Sequence, residues 1–148
     1  ILRTAHSMMG IPYMWGGTSP KGVDCSGFVR TVLYLHDIII PRNASQQAKV
    51  GKRIQPQDDY ADLQPGDLLF FGSKNQDGSP KRVVHVGISL GGCRFIHSLG
   101  YVHTGSFNPL DADYDEYERN RFLFAARILP YVNQDTQILT TGNISLYQ

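Results

Sequence analysis

The chain has 148 residues, 41% of them hydrophobic, and its 14 basic and 13 acidic residues leave a formal net charge of +1. That length holds one hydrophobic core rather than two, and the charges interleave without a block of either sign, which argues against a nucleic-acid partner. No run approaches the roughly 20 apolar residues that cross a bilayer, and the opening ILRTAHSMMG lacks a basic n-region and an apolar h-region, so no membrane span is expected. The first residue is Ile rather than Met, which reads as a chain processed or cut from something longer.

Helical signals come first and strand signals later, an order that predicts α+β. A short helix is expected over residues 2–9, ending at Gly10, and then a turn-rich aromatic loop to Val23 carrying Tyr13 and Trp15. From Asp24, a good N-cap, Phe28, Val32 and Leu35 recur at spacings of four and three with Val29 and Leu33 beside them, the pattern of an amphipathic helix. One turn back from Phe28 and Val29 lies Cys25, in the first turn among unpaired backbone N–H groups. A small helical piece is expected around 44–50, and Gln64-Pro65-Gly66-Asp67 turns the chain into the apolar run Leu68 to Phe71. Strands are expected over 83–90, 94–98, 101–107 and 122–129, and their short connections favour an antiparallel meander. Residues 72–82 read as a polar connection longer than a hairpin needs, a length often tied to function. The chain divides into a main domain, 1–130, and a C-terminal extension, 131–148, that reads as an added strand or a docking tail.

A thiol becomes a useful nucleophile as thiolate, and a helix N-terminus with an imidazolium nearby lowers its pKa from about 8.5 to roughly 3.5–7.5. Cys25 meets the first condition. His85 and His97 lie in adjacent strand candidates, where a suitable register puts both on one sheet face and Val84, Val86 and Ile88 on the other. A helix packed on the histidine face would complete a Cys-His-His set, with His85 as base and His97 orienting its ring. Taken singly, each piece has a plainer reading: free cysteines are commonly just buried, and strand histidines are commonly structural. That plainer reading is kept for His6, His36, His103 and Cys93, and both cysteines are taken as free thiols.

Five blocks together resemble an NlpC/P60 peptidase: Tyr13-Met14-Trp15-Gly16-Gly17, Gly22-Val23-Asp24-Cys25-Ser26-Gly27-Phe28-Val29, Leu63-Gln64-Pro65-Gly66-Asp67-Leu68-Leu69-Phe70-Phe71, His85-Val86-Gly87-Ile88 and Phe95-Ile96-His97-Ser98. The resemblance implies a papain-like α+β fold with N-terminal helices packed on a central antiparallel sheet, no metal and no cofactor. It also implies Cys25 as nucleophile, His85 as base and His97 as its orienting residue. The implied activity is that of a cysteine endopeptidase cutting the γ-D-glutamyl–diamino acid bond of bacterial peptidoglycan peptides, the diamino acid being meso-diaminopimelate or L-lysine.

On the same resemblance Asp24 and Ser26 hold the substrate's free ammonium, while Tyr13 lines the cleft and helps stabilise an oxyanion. Trp15 is a candidate pocket wall, and Arg42, Asn43, Ser45 and Gln46 resemble a block that borders the cleft, with Ser45 as a further substrate contact; Asn43 stands where relatives often carry an acid. Asp24 has a second reading as a helix cap only. Relatives that trim soluble fragments carry SH3-like domains N-terminal to the catalytic one, and members work in the envelope, outside the cell or in cytoplasmic recycling. Two alternatives stay open: an amidase or acyltransferase on the same thiol scaffold, and a non-catalytic cell-wall binding module.

Overall fold

The computed structural model describes residues 1–144, so the last four residues of the expected C-terminal extension lie outside the described residues. Helix α1 (Leu2–Ser7) is followed by a small hairpin, β1 (Thr18–Ser19) and β2 (Gly22–Val23), and then by α2 (Cys25–Tyr34). A single-turn helix, α3 (Ala44–Gln47), leads to β3 (Lys52–Ile54). Strands β4 (Leu68–Lys74), β5 (Pro80–Gly91), β6 (Arg94–Leu99) and β7 (Tyr101–Ser106) form the expected antiparallel meander. Helix α4 (Glu116–Arg121) then returns the chain to β8 (Phe122–Arg127), which pairs with β4 on one side and β3 on the other, for a sheet order β3-β8-β4-β5-β6-β7. The sheet is antiparallel throughout and the fold is α+β, as the sequence predicts.

Period-two alternation sends the strand residues to two separate cores. One face presents Leu68, Phe70, Val86, Ile88, Ile96 and Phe124 to Phe28, Val29, Val32 and Leu33 of α2. Phe28, Val29 and Val32 are fully buried, each worth about 1.5–3 kcal/mol relative to exposure, and this is what fixes α2 on the sheet. The opposite face collects Leu69, Phe71, Phe95, Phe107, Phe122 and Ala125.

Two local expectations are corrected. Most of 72–82 is strand: β4 runs to Lys74 and β5 starts at Pro80, with a turn between them closed by the Asn75 N–H donating to the Ser79 carbonyl at 2.8 Å and Gly78 at φ +84°. The polar side chains there belong to a projecting hairpin whose ladder satisfies the backbone, so polarity did not mean loop. Second, α2 does not pack on the histidine face. It packs on the face of Val86 and Ile88, because that face offers aliphatic surface to its aliphatic stripe. His85 and His97 do share a face, but with the aromatic cluster: His85 stands opposite Phe71, and His97 lies edge-on to Phe95 with centroids 5.1 Å apart.

Residues 131–144 run back over the α2 end of the molecule. Ile138 is buried in the helix-side core, and Ile39 and Leu139 exchange backbone hydrogen bonds of 2.7 and 3.0 Å. Among the described residues no helix is long and apolar enough to cross a membrane.

Candidate active site

The site begins at the N-terminus of α2. Asp24, in extended backbone, caps the helix by accepting from the Gly27 N–H at 2.6 Å, so its two roles in the sequence reading start from an occupied oxygen. Its carboxylate is also gripped in fork geometry by Arg42, from Nη1 at 3.0 Å and Nη2 at 2.7 Å, and accepts the Gly16 N–H at 3.0 Å. Burial pushes this carboxyl up, yet the Arg42 hydrogen bonds and the Gly27 and Gly16 N–H groups outweigh it and hold it below its ordinary value. Ser26 Oγ accepts from Arg42 Nη1 at 2.9 Å and donates weakly to Asp24 at 3.4 Å. The charge of the Asp24–Ser26 pair is therefore already balanced by Arg42.

Cys25 is the first residue of α2 and is buried at the edge of the helix-side core. Burial raises its thiol above the ordinary value; the Val86 N–H hydrogen-bonds the sulfur and lowers it, the Asp24 carboxylate raises it, and the Ser26 and Cys25 N–H groups of the first turn lower it again. The sulfur thus meets β5 one residue beyond His85. Just before His85 the ladder is irregular: Phe71 faces His85 but Gly72 faces Val83, which leaves Val84 as the extra residue of a bulge. A second irregularity flanks the same Phe71 on the β8 side, between Phe70 and Phe71. Bulges bend a strand and re-aim the side chain beside them, and here they sit at the base of the site.

His85 Nε2 and His97 Nδ1 are 2.8 Å apart and share a hydrogen bond. The register explains it. His97 pairs directly with Gly87, so the two histidines are diagonal neighbours, and Gly87 leaves the intervening position without a side chain; a Cβ there would lie 3.1 Å from the His97 Cβ. With Nε2 engaged, Nδ1 is the nitrogen of His85 left for the thiol. Both rings are neutral at rest: burial depresses His85 to about 3 and His97 to about 2, with nearby cationic groups adding to the effect. A neutral thiol and a neutral imidazole have the chemistry of a general-base pair, in which the base takes the thiol proton during attack on an acyl group.

Other expected residues fall at varying distances from this centre. Tyr13 is half-buried, and its hydroxyl is held above its ordinary pKa by burial and then by the charges of Cys25 and Asp24. Trp15 is 88% exposed, so it is not core. Ser45, exposed on α3, borders a groove of about 510 Å³ lined by Lys49, Arg53, Lys81, Arg82 and Phe124. Cys25 and Cys93 are both free thiols. Unanticipated from sequence are the Arg42 grip on Asp24 and three residues under the histidines, Asp115, Glu118 and Arg121. Their one signal is Asp115-Glu116-Tyr117-Glu118, an acid three residues ahead of another before an apolar run, which is the spacing of a helix start.

His85, His97 and Glu118 bring three potential metal-ligand atoms within 4.8 Å of one another. Within this set His85 Nε2 and His97 Nδ1 already share a hydrogen bond and Glu118 Oε1 accepts from Arg121, while His97 Nε2 and Glu118 Oε2 make no hydrogen bond among the described residues.

The model of the NlpC/P60 family matches residues 10–122. Among curated proteins, the chain is 42% identical over 98 residues to a gamma-D-glutamyl-L-lysine dipeptidyl-peptidase of Bacillus subtilis, an alignment covering 66% of this chain and 31% of that protein. The chain thus spans less than a third of that relative's length. Among solved structures, an NlpC/P60 family protein from Bacillus cereus superposes with a TM-score of 0.72 at 32% identity, over 87% of this chain and 39% of the other. The NlpC/p60 domain of the peptidoglycan hydrolase SagA superposes with a TM-score of 0.66 at 32% identity, over 86% of this chain and 95% of that domain.

Proposed function

The chain belongs to the NlpC/P60 family, and from that premise we propose that it is a cysteine endopeptidase hydrolysing the γ-D-glutamyl–diamino acid bond of peptidoglycan peptides. The observation that carries this is the hydrogen-bonded His85–His97 pair on β5 and β6, with Cys25 at the start of α2 meeting β5 at the adjacent Val86. In this reading Cys25 Sγ attacks the γ-D-glutamyl carbonyl while its proton passes to His85. The tetrahedral oxyanion is met by backbone N–H groups at the start of α2 and by the Tyr13 hydroxyl. His85 then protonates the leaving amine of the diamino acid, and in the second half activates the water that releases the acyl group. His97 fixes the ring so that Nδ1 faces the sulfur.

Recognition is assigned to residues around this axis. Asp24 and Ser26 receive the free ammonium of an N-terminal L-alanine, sharing their oxygens with Arg42, and Trp15 and Ser45 contact the substrate further out. SH3-like domains N-terminal to this segment in a longer chain, which the resemblance implies, would add a wall to the groove.

The test is mass spectrometry of L-Ala-γ-D-Glu-meso-diaminopimelate after incubation with the parent protein and with Cys25→Ala. Release of L-Ala-D-Glu by the parent alone is expected, with turnover by the variant lower by about a million-fold, the scale set by losing the nucleophile of a catalytic triad. Equal cleavage of an N-acetylated substrate would remove the ammonium role from Asp24 and Ser26. Cleavage by Cys25→Ala at the parent's rate would overturn the whole assignment.

A further inference from the structure

Helix α4 does more than return the chain to β8. Glu118, 0% exposed, sits beneath the histidine pair with one oxygen 4.0 Å from His85 Nε2, and Asp115, the cap of the same helix, has an oxygen 3.7 Å from His97 Nε2. One short element therefore offers each ring its own carboxylate. Glu118 is held by Arg121, whose Nη2 donates to Oε1 at 2.7 Å, and its backbone N–H is fixed by Asp115 Oδ1 at 2.9 Å. Glu118 Oε2 and His97 Nε2 are buried and make no hydrogen bond among the described residues. Burial raises the Glu118 carboxyl above its ordinary value while the Arg121 hydrogen bond and charge work to keep it ionised, as a buried carboxylate requires.

Moving the Cys25 proton onto His85 breaks S–H, forms N–H and leaves a thiolate and an imidazolium where both groups had been neutral. The imidazolium arises in a pocket walled by Phe71 and Phe95, with the uncharged His97 on one side and cationic Arg121 nearby. We propose that Glu118, assisted by Asp115, is the counter-charge for this imidazolium: a positioning residue that acts through His85 and raises the fraction of Cys25 present as thiolate. This rests on the assignment of Cys25 and His85 above. The charged and titratable groups around the pair are His97 on β6, His103 on β7, and Asp115, Glu118 and Arg121 at α4, together with Cys25, assigned above as the proton donor. Of these, apart from the thiolate that the transfer itself creates, only the two carboxylates favour positive charge on His85.

The test needs no substrate. In a Cys93→Ser background, so that Cys25 is the one thiol, the rate of alkylation by iodoacetamide is followed from neutral to alkaline pH for the parent, Glu118→Gln and Asp115→Asn. Glutamine keeps an acceptor for Arg121, and asparagine is as good an N-cap as aspartate, so each removes charge with little else. The parent is expected to show a low neutral plateau, from the minor thiolate–imidazolium form in equilibrium with the neutral pair, and an alkaline rise from direct thiol ionisation. Glu118→Gln should lower the plateau about tenfold, the equivalent of one pKa unit on His85, and Asp115→Asn by about half of that on a logarithmic scale. The alkaline rates should coincide, since His85 is neutral there in every variant.

Superposed profiles, or a fall of the same size at every pH, would overturn the inference, the latter marking a merely structural role. If Glu118→Gln does not fold, Asp115→Asn alone carries the same two outcomes. A parent with no neutral plateau would overturn the Cys25–His85 assignment together with the inference, whereas a plateau insensitive to both variants would overturn the inference alone.

Discussion

At His85 and His97, burial wins over every favourable neighbour and keeps both rings neutral, at about 3 and about 2 respectively. An unfolded chain would titrate them near 6.5, so between those values the unfolded state binds protons that the folded state refuses. Stability from these two rings is therefore complete above roughly pH 6.5 and is lost as the pH falls, at up to about 1.4 kcal/mol per pH unit for each ring. Urea unfolding at about pH 7.5 and about pH 5 should show the parent losing about 2 kcal/mol per histidine, and His97→Gln losing correspondingly less. A parent whose unfolding midpoint is flat over that range would contradict the depressed values. The identity of these residues was legible because histidine in a strand stands out against its apolar neighbours. Their carboxylate company was not, because Glu118 lies 33 and 21 positions away from them along the chain and only the α4 turn brings it back.

Among the elements, α2 has the narrowest tolerance. Its Gly27 abuts the carbonyl of Gly17: a Cβ at that position would run into the Gly17 oxygen and stand 2.8 Å from Asp24 Oδ1. Gly27→Ala should thus push the first turn off its seat, costing about 1–3 kcal/mol as overpacking does. On the proposed role of Cys25, a displacement of about 1 Å there should cost about 100-fold in kcat. Thermal unfolding and steady-state kinetics on the same sample would check both, and a variant with parental kcat would show that α2 does not hold Cys25 against a fixed partner. This helix was readable from its apolar period and its cap. The face of the sheet it would choose was not, since Val86 and His85 are neighbours in sequence and only the aromatic cluster behind the histidines decides which of them meets the helix. Strands β1, β2 and β3 are two or three residues each, too short for an alternation to register.

On the scale of the molecule, residues 131–144 tie distant parts together. Asp37, at φ +60°, accepts from the Thr141 N–H at 3.0 Å and hydroxyl at 2.7 Å, Asp135 accepts the Gly51 N–H at 2.8 Å, and Ile138 is fully buried beneath them. Ile138→Ala should cost about 2–5 kcal/mol, the range for a large core side chain truncated in place, while kcat measured well below the unfolding temperature stays near the parent's. An unfolding free energy unchanged within about 0.5 kcal/mol would mean that this segment is an ornament rather than a clasp. The weak alternation of 131–148 could not disclose that packing, because single anchors such as Ile138 carry no period.

The Asp37–Thr141 contact spans 104 residues, and β8, the strand that seats β3 and β4, lies close before it in the chain. Vectorial synthesis therefore presents α2 and the meander to the cell before the pieces that finish their packing exist. Closing so long a loop is costly in entropy and slow; until β8 docks, the central strand β4 has one bare edge, and until residues 131–144 dock, Ile39 has an unpaired backbone. The nascent domain is for that interval a sheet in search of a strand, and the order in which its residues leave the ribosome makes β8 and the segment after it the ones that end its exposure to proteases and to its own neighbours.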